Sequence, residues 1–203
     1  NIPPFSLPAN GSANVACPAD AVQPVPPTVT DACGNNLTPT ITAEPLPACD
    51  GTRTFTFTYT DCAGNTADWI FEYTIDEPVF TTPTPGAATV DCPAEADVVP
   101  TAPDITDNCG RTISATLTSE TPDVNCAGTK TYTFTYTDCS GATQTWDYVY
   151  TVEPPVVVMP ANAASSVACP GDALPPTVPT VTDNCGRTLT ASAPVVSPDP
   201  PCA

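Results

Sequence analysis

Eleven cysteines are the side chains in this sequence whose type and spacing point most directly to covalent chemistry. They run as Cys17, Cys33, Cys49 and Cys62, then Cys92, Cys109, Cys126 and Cys139, then Cys169, Cys185 and Cys202. Matched positions lie 75 to 77 residues apart, the self-similarity of a modular array. The nearest neighbours in sequence are 13 residues apart, so the close Cys-x-x-Cys pairs of a zinc site are absent. Disulfide formation is therefore the expected chemistry, and it places the chain in an oxidising, extracellular setting, since cytosolic thiols stay reduced.

Strand geometry limits which cysteines of one repeat can pair. Between Cys49 and Cys62 runs Thr54-Phe55-Thr56-Phe57-Thr58-Tyr59-Thr60, and Thr131 to Thr137 occupies the same place before Cys139. An extended stretch of that length spans roughly 30–40 Å, whereas a disulfide needs Cα atoms within about 7 Å. Cys49 with Cys62 and Cys126 with Cys139 are thereby excluded, leaving two of the three pairings open to four cysteines. In an immunoglobulin-like sandwich the second and fourth cysteines share one end, lying in the turns Thr-Asp-x-Cys-Gly and Thr-Asp-Cys-x-Gly. The first and third share the other. This arrangement predicts Cys17–Cys49 with Cys33–Cys62, Cys92–Cys126 with Cys109–Cys139, and Cys169–Cys202, with the partner of Cys185 outside the segment.

The elements that must carry these cysteines are strands. Aromatic residues alternate with threonine from 54 to 60 and from 131 to 137, the period-2 pattern of a half-buried strand. A second alternating strand follows each short Gly-containing turn, through Trp69, Phe71, Tyr73 and Ile75 or Trp146, Tyr148, Tyr150 and Val152, so each pair reads as a hairpin. A Thr-rich strand is expected from Thr112 to Ser119, and no 3.6-residue periodicity predicts a helix. The aromatic rows could form a carbohydrate-stacking platform, but filling a small sandwich core is the favoured reading. The expectation is an all-β chain of tandem immunoglobulin- or fibronectin-like β-sandwiches: repeat one at 1–76, repeat two at 77–152 and an incomplete repeat three at 153–203 that lacks its final hairpin. A fourth cysteine of repeat three falls near position 215, which suggests a segment of a longer polymer.

Other candidate sites are acidic. Asp31, Asp107 and Asp183 recur in one turn and Asp61 with Asp138 in the other, and Glu77 and Glu153 open the incoming linkers. Gathered at a junction, these carboxylates could bind Ca²⁺ as a hard cation. The competing and preferred reading is that each Asp caps its own turn. Asn10-Gly11-Ser12 and Asn36-Leu37-Thr38 match the N-glycosylation sequon. Histidine is absent, which removes the usual general base, and no nucleophile–base pair is evident, so an enzyme is not expected.

Composition narrows the partners. Four Lys and Arg face 22 Asp and Glu, a formal charge of -18, and affinity for nucleic-acid or lipid phosphates rests on Lys and Arg. No apolar run reaches the roughly 20 residues of a membrane span. Prolines are numerous, 28 in all, and Pro78, Pro154 and Pro155 stiffen the expected junctions.

The joint pattern of Thr-Asp-x-Cys-Gly, Thr-[FY]-Thr-Phe-Thr-Tyr-Thr-Asp-Cys-x-Gly and an alternating aromatic strand resembles the HYR (hyalin repeat) family. It is most similar to the four-cysteine HYR-like repeats found in tandem in giant surface proteins of Bacteroidetes, including gliding adhesins. The resemblance covers the whole chain, once per repeat. It implies a sandwich fold, no catalytic residues, and a role in adhesion or in building long extracellular fibres from further copies of the same repeat. The function expected is a structural segment of a stalk, adhesin or filament. Alternatives are a ligand-binding adhesin module and a strand-donating, pilus-like subunit that would complete repeat three from another chain.

Overall fold

The computed structural model describes residues 5–197. The fold is all-β and sandwich-like, with strands interrupted by single helical turns at Pro18–Asp20, Pro93–Ala96 and Pro170–Asp172. The chain forms two compact units: residues 1–84, 102–118 and 134–146 in one, and residues 85–101, 119–133 and 147–203 in the other. The units do not follow the sequence repeats, because the second repeat contributes segments to both.

In the first unit a four-stranded sheet has the order Gly11–Val15, Thr66–Ile75, Gly51–Thr60, Thr40–Ala43. The two long strands are antiparallel, with Phe55 opposite Phe71 and Phe57 opposite Trp69, so the alternation puts every large ring on one face. Phe55, Phe57, Tyr59, Trp69, Tyr73 and Ile75 are buried there, each worth about 1.5–3 kcal/mol of apolar transfer. They form the core, and a stacking platform on this face is ruled out by their burial.

The Pro-rich segment that follows Cys17 covers this face. Val29 and Ala21 are buried against it, and Val29–Thr30 pairs with Asn36–Leu37 as a two-residue ladder. Polar tips of the aromatics hold the cover and the lead-in to the first strand: the Tyr59 hydroxyl donates to the Pro27 carbonyl at 2.6 Å, and Trp69 Nε1 donates to the carbonyl of Ala9, ahead of Gly11–Val15, at 2.9 Å. Arg53 Nη1 donates to the Ala21 carbonyl at 2.7 Å and its guanidinium lies 4.7 Å from the Phe55 ring centre. A proline-rich strip is suited to this role, because its donor-poor backbone offers carbonyls to side chains.

The second repeat builds the same sheet, ordered Ala115–Glu120, Gly128–Thr137, Thr143–Val152, Gly86–Val90. Tyr132, Phe134, Tyr136 and Trp146 are buried as their counterparts are. The Tyr136 hydroxyl donates to Pro103 at 2.6 Å, repeating the bond from Tyr59. In the second unit Tyr132 donates to Ala96 at 2.9 Å, and the buried Lys130 lies between Asp97 at 2.8 Å and Asp123 at 2.6 Å. The hydrogen bonds its ammonium donates to Asp123 and then to Asp97 hold it charged well above the ordinary lysine range.

Three features differ from the sequence expectation. The strand expected from Thr112 to Ser119 divides into Thr112–Ile113, which pairs with Ile105–Thr106, and Ala115–Glu120 in the larger sheet. Helical turns form at Pro18–Asp20, Pro93–Ala96 and Pro170–Asp172 where none was expected: proline begins each, and at Pro93–Ala96 Glu95 accepts the backbone N–H groups of Asp91 and Cys92. The edge strands Gly11–Val15 and Gly86–Val90 run parallel to Thr66–Ile75 and Thr143–Val152, which the weak Ala, Ser and Gly pattern did not signal. Among the described residues no helix is long and apolar enough to cross a membrane.

Candidate functional site: the junction between repeats

Sheet register determines which cysteines share an end. Val15 and Gly51 both pair with Ile75, the last strand residue of repeat one, so Cys17 and Cys49 flank the end where the chain leaves that repeat. Thr60 pairs with Thr66 at the hairpin end, which places Cys62 about 30 Å away along ten-residue strands. First and third cysteines therefore occupy the exit of a repeat. The turns bearing Cys109 and Cys139 belong to the tip of the next repeat, and both lie in the first unit with repeat one.

The disulfides join repeats rather than closing them. Within the first unit Cys17 bonds to Cys109 and Cys49 to Cys139, with Cα atoms 5.5 and 5.6 Å apart. Within the second, Cys92 bonds to Cys185, again with 5.5 Å between Cα atoms. The expected Cys17–Cys49, Cys92–Cys126 and Cys109–Cys139 pairs are corrected by these bonds. Cys33 and Cys62, expected to pair, are both free and exposed, as are Cys126 and Cys169. The expected Cys169–Cys202 pair lies outside the described residues at Cys202. Cys49 and Cys62 do flank opposite ends of the strand Gly51–Thr60, but that separation limits partners only inside one repeat, and Cys185, expected to pair outside the segment, bonds to Cys92. In an array the same spacing serves a partner in the next repeat equally well.

Polar contacts reinforce each junction. Arg111 donates through Nε to Asp107 at 2.8 Å and through Nη1 to the Ala48 carbonyl, beside Cys49, at 2.7 Å. Arg187 repeats this, holding Asp183 at 2.8 Å and reaching the Asn125 carbonyl beside Cys126. Asn108 clasps the incoming linker, accepting the Val79 N–H at 2.8 Å and donating its own N–H to Val79 at 2.9 Å. Asn184 treats Val156 the same way. These four residues escaped the sequence analysis, although Thr-Asp-Asn-Cys-Gly-Arg-Thr stands unchanged at 106–112 and 182–188, where repeat one has Thr-Asp-Ala-Cys-Gly-Asn-Asn.

The aspartates serve their own turns. Oδ1 of Asp31 accepts the N–H groups of Cys33 and Asn35 at 2.9 Å, and Oδ2 takes the Asn35 side-chain amide at 3.0 Å. Asp61 does the same with Ala63 and Asn65, and Asp107 and Asp183 use arginine in place of asparagine. Asp138 accepts Ser140 and Ala142 N–H groups, but Ala142 carries no amide and its buried Oδ2 is left without a partner. The Asn65 amide leads in holding Asp61 below the usual carboxylate value, while at Asp107 burial pushes upward and the Arg111 bonds outweigh it.

The calcium reading finds little support in this geometry. Asp107 and Asp138 were to meet beside a Cys109–Cys139 bridge, and those cysteines bond elsewhere. Glu77 and Glu153 are exposed, and the Glu153 N–H donates to the Val90 carbonyl at 2.9 Å. Among the described residues no three His, Cys, Asp or Glu side chains gather where an ion could be held. Asn10 and Asn36 are exposed, and Asn10 Oδ1 accepts the Ile70 N–H at 3.0 Å.

Comparison with known proteins places these features in context. The family model described as an HYR-like domain with 4 cysteines matches residues 5–75, 80–152 and 157–203. The chain is also similar to a hyalin from Lytechinus variegatus, 32% identical over 183 residues covering 80% of this chain and 34% of that protein. It thus spans about a third of the length of the curated relative it matches.

Proposed function

The chain belongs to the family of HYR-like domains with four cysteines, and from that premise we propose that it is a structural segment of an extracellular stalk, adhesin or filament that carries tension. The observation behind this reading is that disulfides link successive repeats. Cys17 is bonded across 92 residues to Cys109, and Cys92 across 93 residues to Cys185. The two loops overlap, so the shortest covalent route along the chain uses only residues up to Cys17, from Cys92 to Cys109, and from Cys185 onward. The aromatic hairpin Gly51–Ile75 lies off that route, so a pull on the ends does not draw its core apart. Its similarity to hyalin is consistent with an extracellular, adhesion-related role without catalysis, and further copies of the repeat are the natural partners. No cofactor is needed.

Single-molecule stretching tests the reading. Fully extended, the oxidised chain should reach about 190 Å, from the roughly 55 residues on the covalent route, against about 700 Å after reduction, at about 3.5 Å per residue. Equal contour lengths with and without reductant would remove it.

A further inference from the structure

Four cysteines serve the first junction, and they can close two bonds in more than one way. The observed set is Cys17–Cys109 with Cys49–Cys139, 92 and 90 residues apart in sequence. An alternative set, Cys17–Cys49 with Cys109–Cys139, uses the same four thiols and closes loops about a third as long. Redox balance is neutral between them, and thiolate exchange converts one to the other. A small-molecule thiolate opens Cys17–Cys49 as a mixed disulfide on Cys17. Cys49 then attacks Cys139, and the released Cys109 attacks Cys17 and expels the small thiolate. In an unfolded chain each shorter loop closes roughly fivefold more readily, so the folded junction must reverse that preference. We propose that the turn Asn-Cys-Gly-Arg is a docking element that recognises the exit of the preceding repeat without covalent help, and so directs disulfide pairing between repeats.

The turn is held by its own bonds. Asp107 N–H donates to the Arg111 carbonyl at 3.0 Å, and Asp107 Oδ1 accepts the Cys109 and Arg111 N–H groups, each at 2.9 Å. Asp107 Oδ2 takes Arg111 Nε at 2.8 Å, which fixes the guanidinium relative to Cys109. From there Nη1 donates to the carbonyl of Ala48, the residue before Cys49, at 2.7 Å. A side chain on the turn that bonds Cys17 thus holds the loop that carries Cys49, and both bonds of the junction come into register together. Asn108, on the other side of Cys109, fastens the turn to its own linker through the two bonds with Val79.

Two further observations separate docking from bonding. At the second junction Arg187 reaches the Asn125 carbonyl although the adjacent Cys126 is a free thiol, 3.2 Å from Nη1, so the contact does not need a disulfide at that place. The exit loops also differ, Leu46-Pro47-Ala48 against Asp123-Val124-Asn125, whereas the turns at 106–112 and 182–188 are identical. Recognition is directed at a backbone carbonyl, which every residue type supplies, so one turn fits the exit of any copy of the repeat. The proposal concerns assembly and holds whether or not the chain bears load.

The test refolds the fully reduced 203-residue chain in a glutathione redox buffer, traps thiols by alkylation and maps disulfides by mass spectrometry. Asn108→Ala with Arg111→Asn copies the turn of repeat one, where Asn35 satisfies Asp31 at 3.0 Å, so the turn survives and only its outward contacts are lost. This variant should lower the ratio of Cys17–Cys109 and Cys49–Cys139 to Cys17–Cys49 and Cys109–Cys139 by roughly tenfold, the weight of a hydrogen bond from a charged donor. Cys92–Cys185 at the unaltered junction should form as in the parent chain, which reports that folding proceeds. Asn184→Ala with Arg187→Asn should do the converse, depleting Cys92–Cys185 and sparing the first junction. An unchanged ratio in the first variant, or equal losses at both junctions in either one, would overturn the proposal.

Discussion

The turn aspartates set the local order of this protein through hydrogen bonds made by each carboxylate to its own loop. Asp61 satisfies both oxygens because Asn65 supplies a side-chain amide, whereas Ala142 leaves Asp138 Oδ2 buried and unpartnered. A buried acceptor without a partner costs about 1–3 kcal/mol. Ala142→Asn should therefore stabilise the chain by about 1 kcal/mol, read as a shift in denaturant midpoint with unchanged slope. The same aspartates give a pH dependence of known sign. Asp61, Asp107, Asp138 and Asp183 all lie below their ordinary value of 3.8 in the folded chain. Groups with a depressed folded value contribute stability above 3.8 that is lost as pH falls through the folded value. The melting temperature should be flat between pH 7 and 5 and drop below pH 4, as calorimetry across that range would record.

At the scale of elements, the parallel edge strand Gly11–Val15 depends on the absence of a side chain at its first position. A Cβ at Gly11 would sit 2.4 Å from Phe71 Cδ2 and 3.3 Å from the Trp69 ring. Gly11→Val should thus push Phe71 off its rotamer and destabilise by about 1–3 kcal/mol, visible as a lowered urea midpoint and altered near-ultraviolet circular dichroism. The aromatic–threonine hairpins were legible from sequence because a two-residue period with rings on one face has only one packed solution. The edge strands were not, since Gly-Ser-Ala-Asn-Val and Gly-Ala-Ala-Thr-Val carry little apolar contrast. The break between Ile113 and Ala115 also escaped, because threonine suits either sheet and only pairing with Ile105–Thr106 separates the two strands.

For the molecule as a whole, the junction bonds govern stability. Cys49 and Cys139 close a loop 90 residues apart in sequence, and constraining an unfolded loop of that size is worth about 4 kcal/mol. Cys49→Ser with Cys139→Ser should lower stability by that order while sparing Cys17–Cys109, measured by thermal melting alongside disulfide mapping. Sequence by itself determined the repeat, the all-β class, the ring-bearing face and the separation of the third and fourth cysteines to opposite strand ends, since these follow from local periodicity and the length of an extended chain. Partner choice was decided by tertiary structure alone. A cysteine at the exit of one repeat meets the tip of the next, and a periodic sequence presents the same residue types at the same spacing to both neighbours. Only the register of Val15 and Gly51 against Ile75, and the turns of the following repeat placed beside that end, distinguish a bond within a repeat from a bond between two.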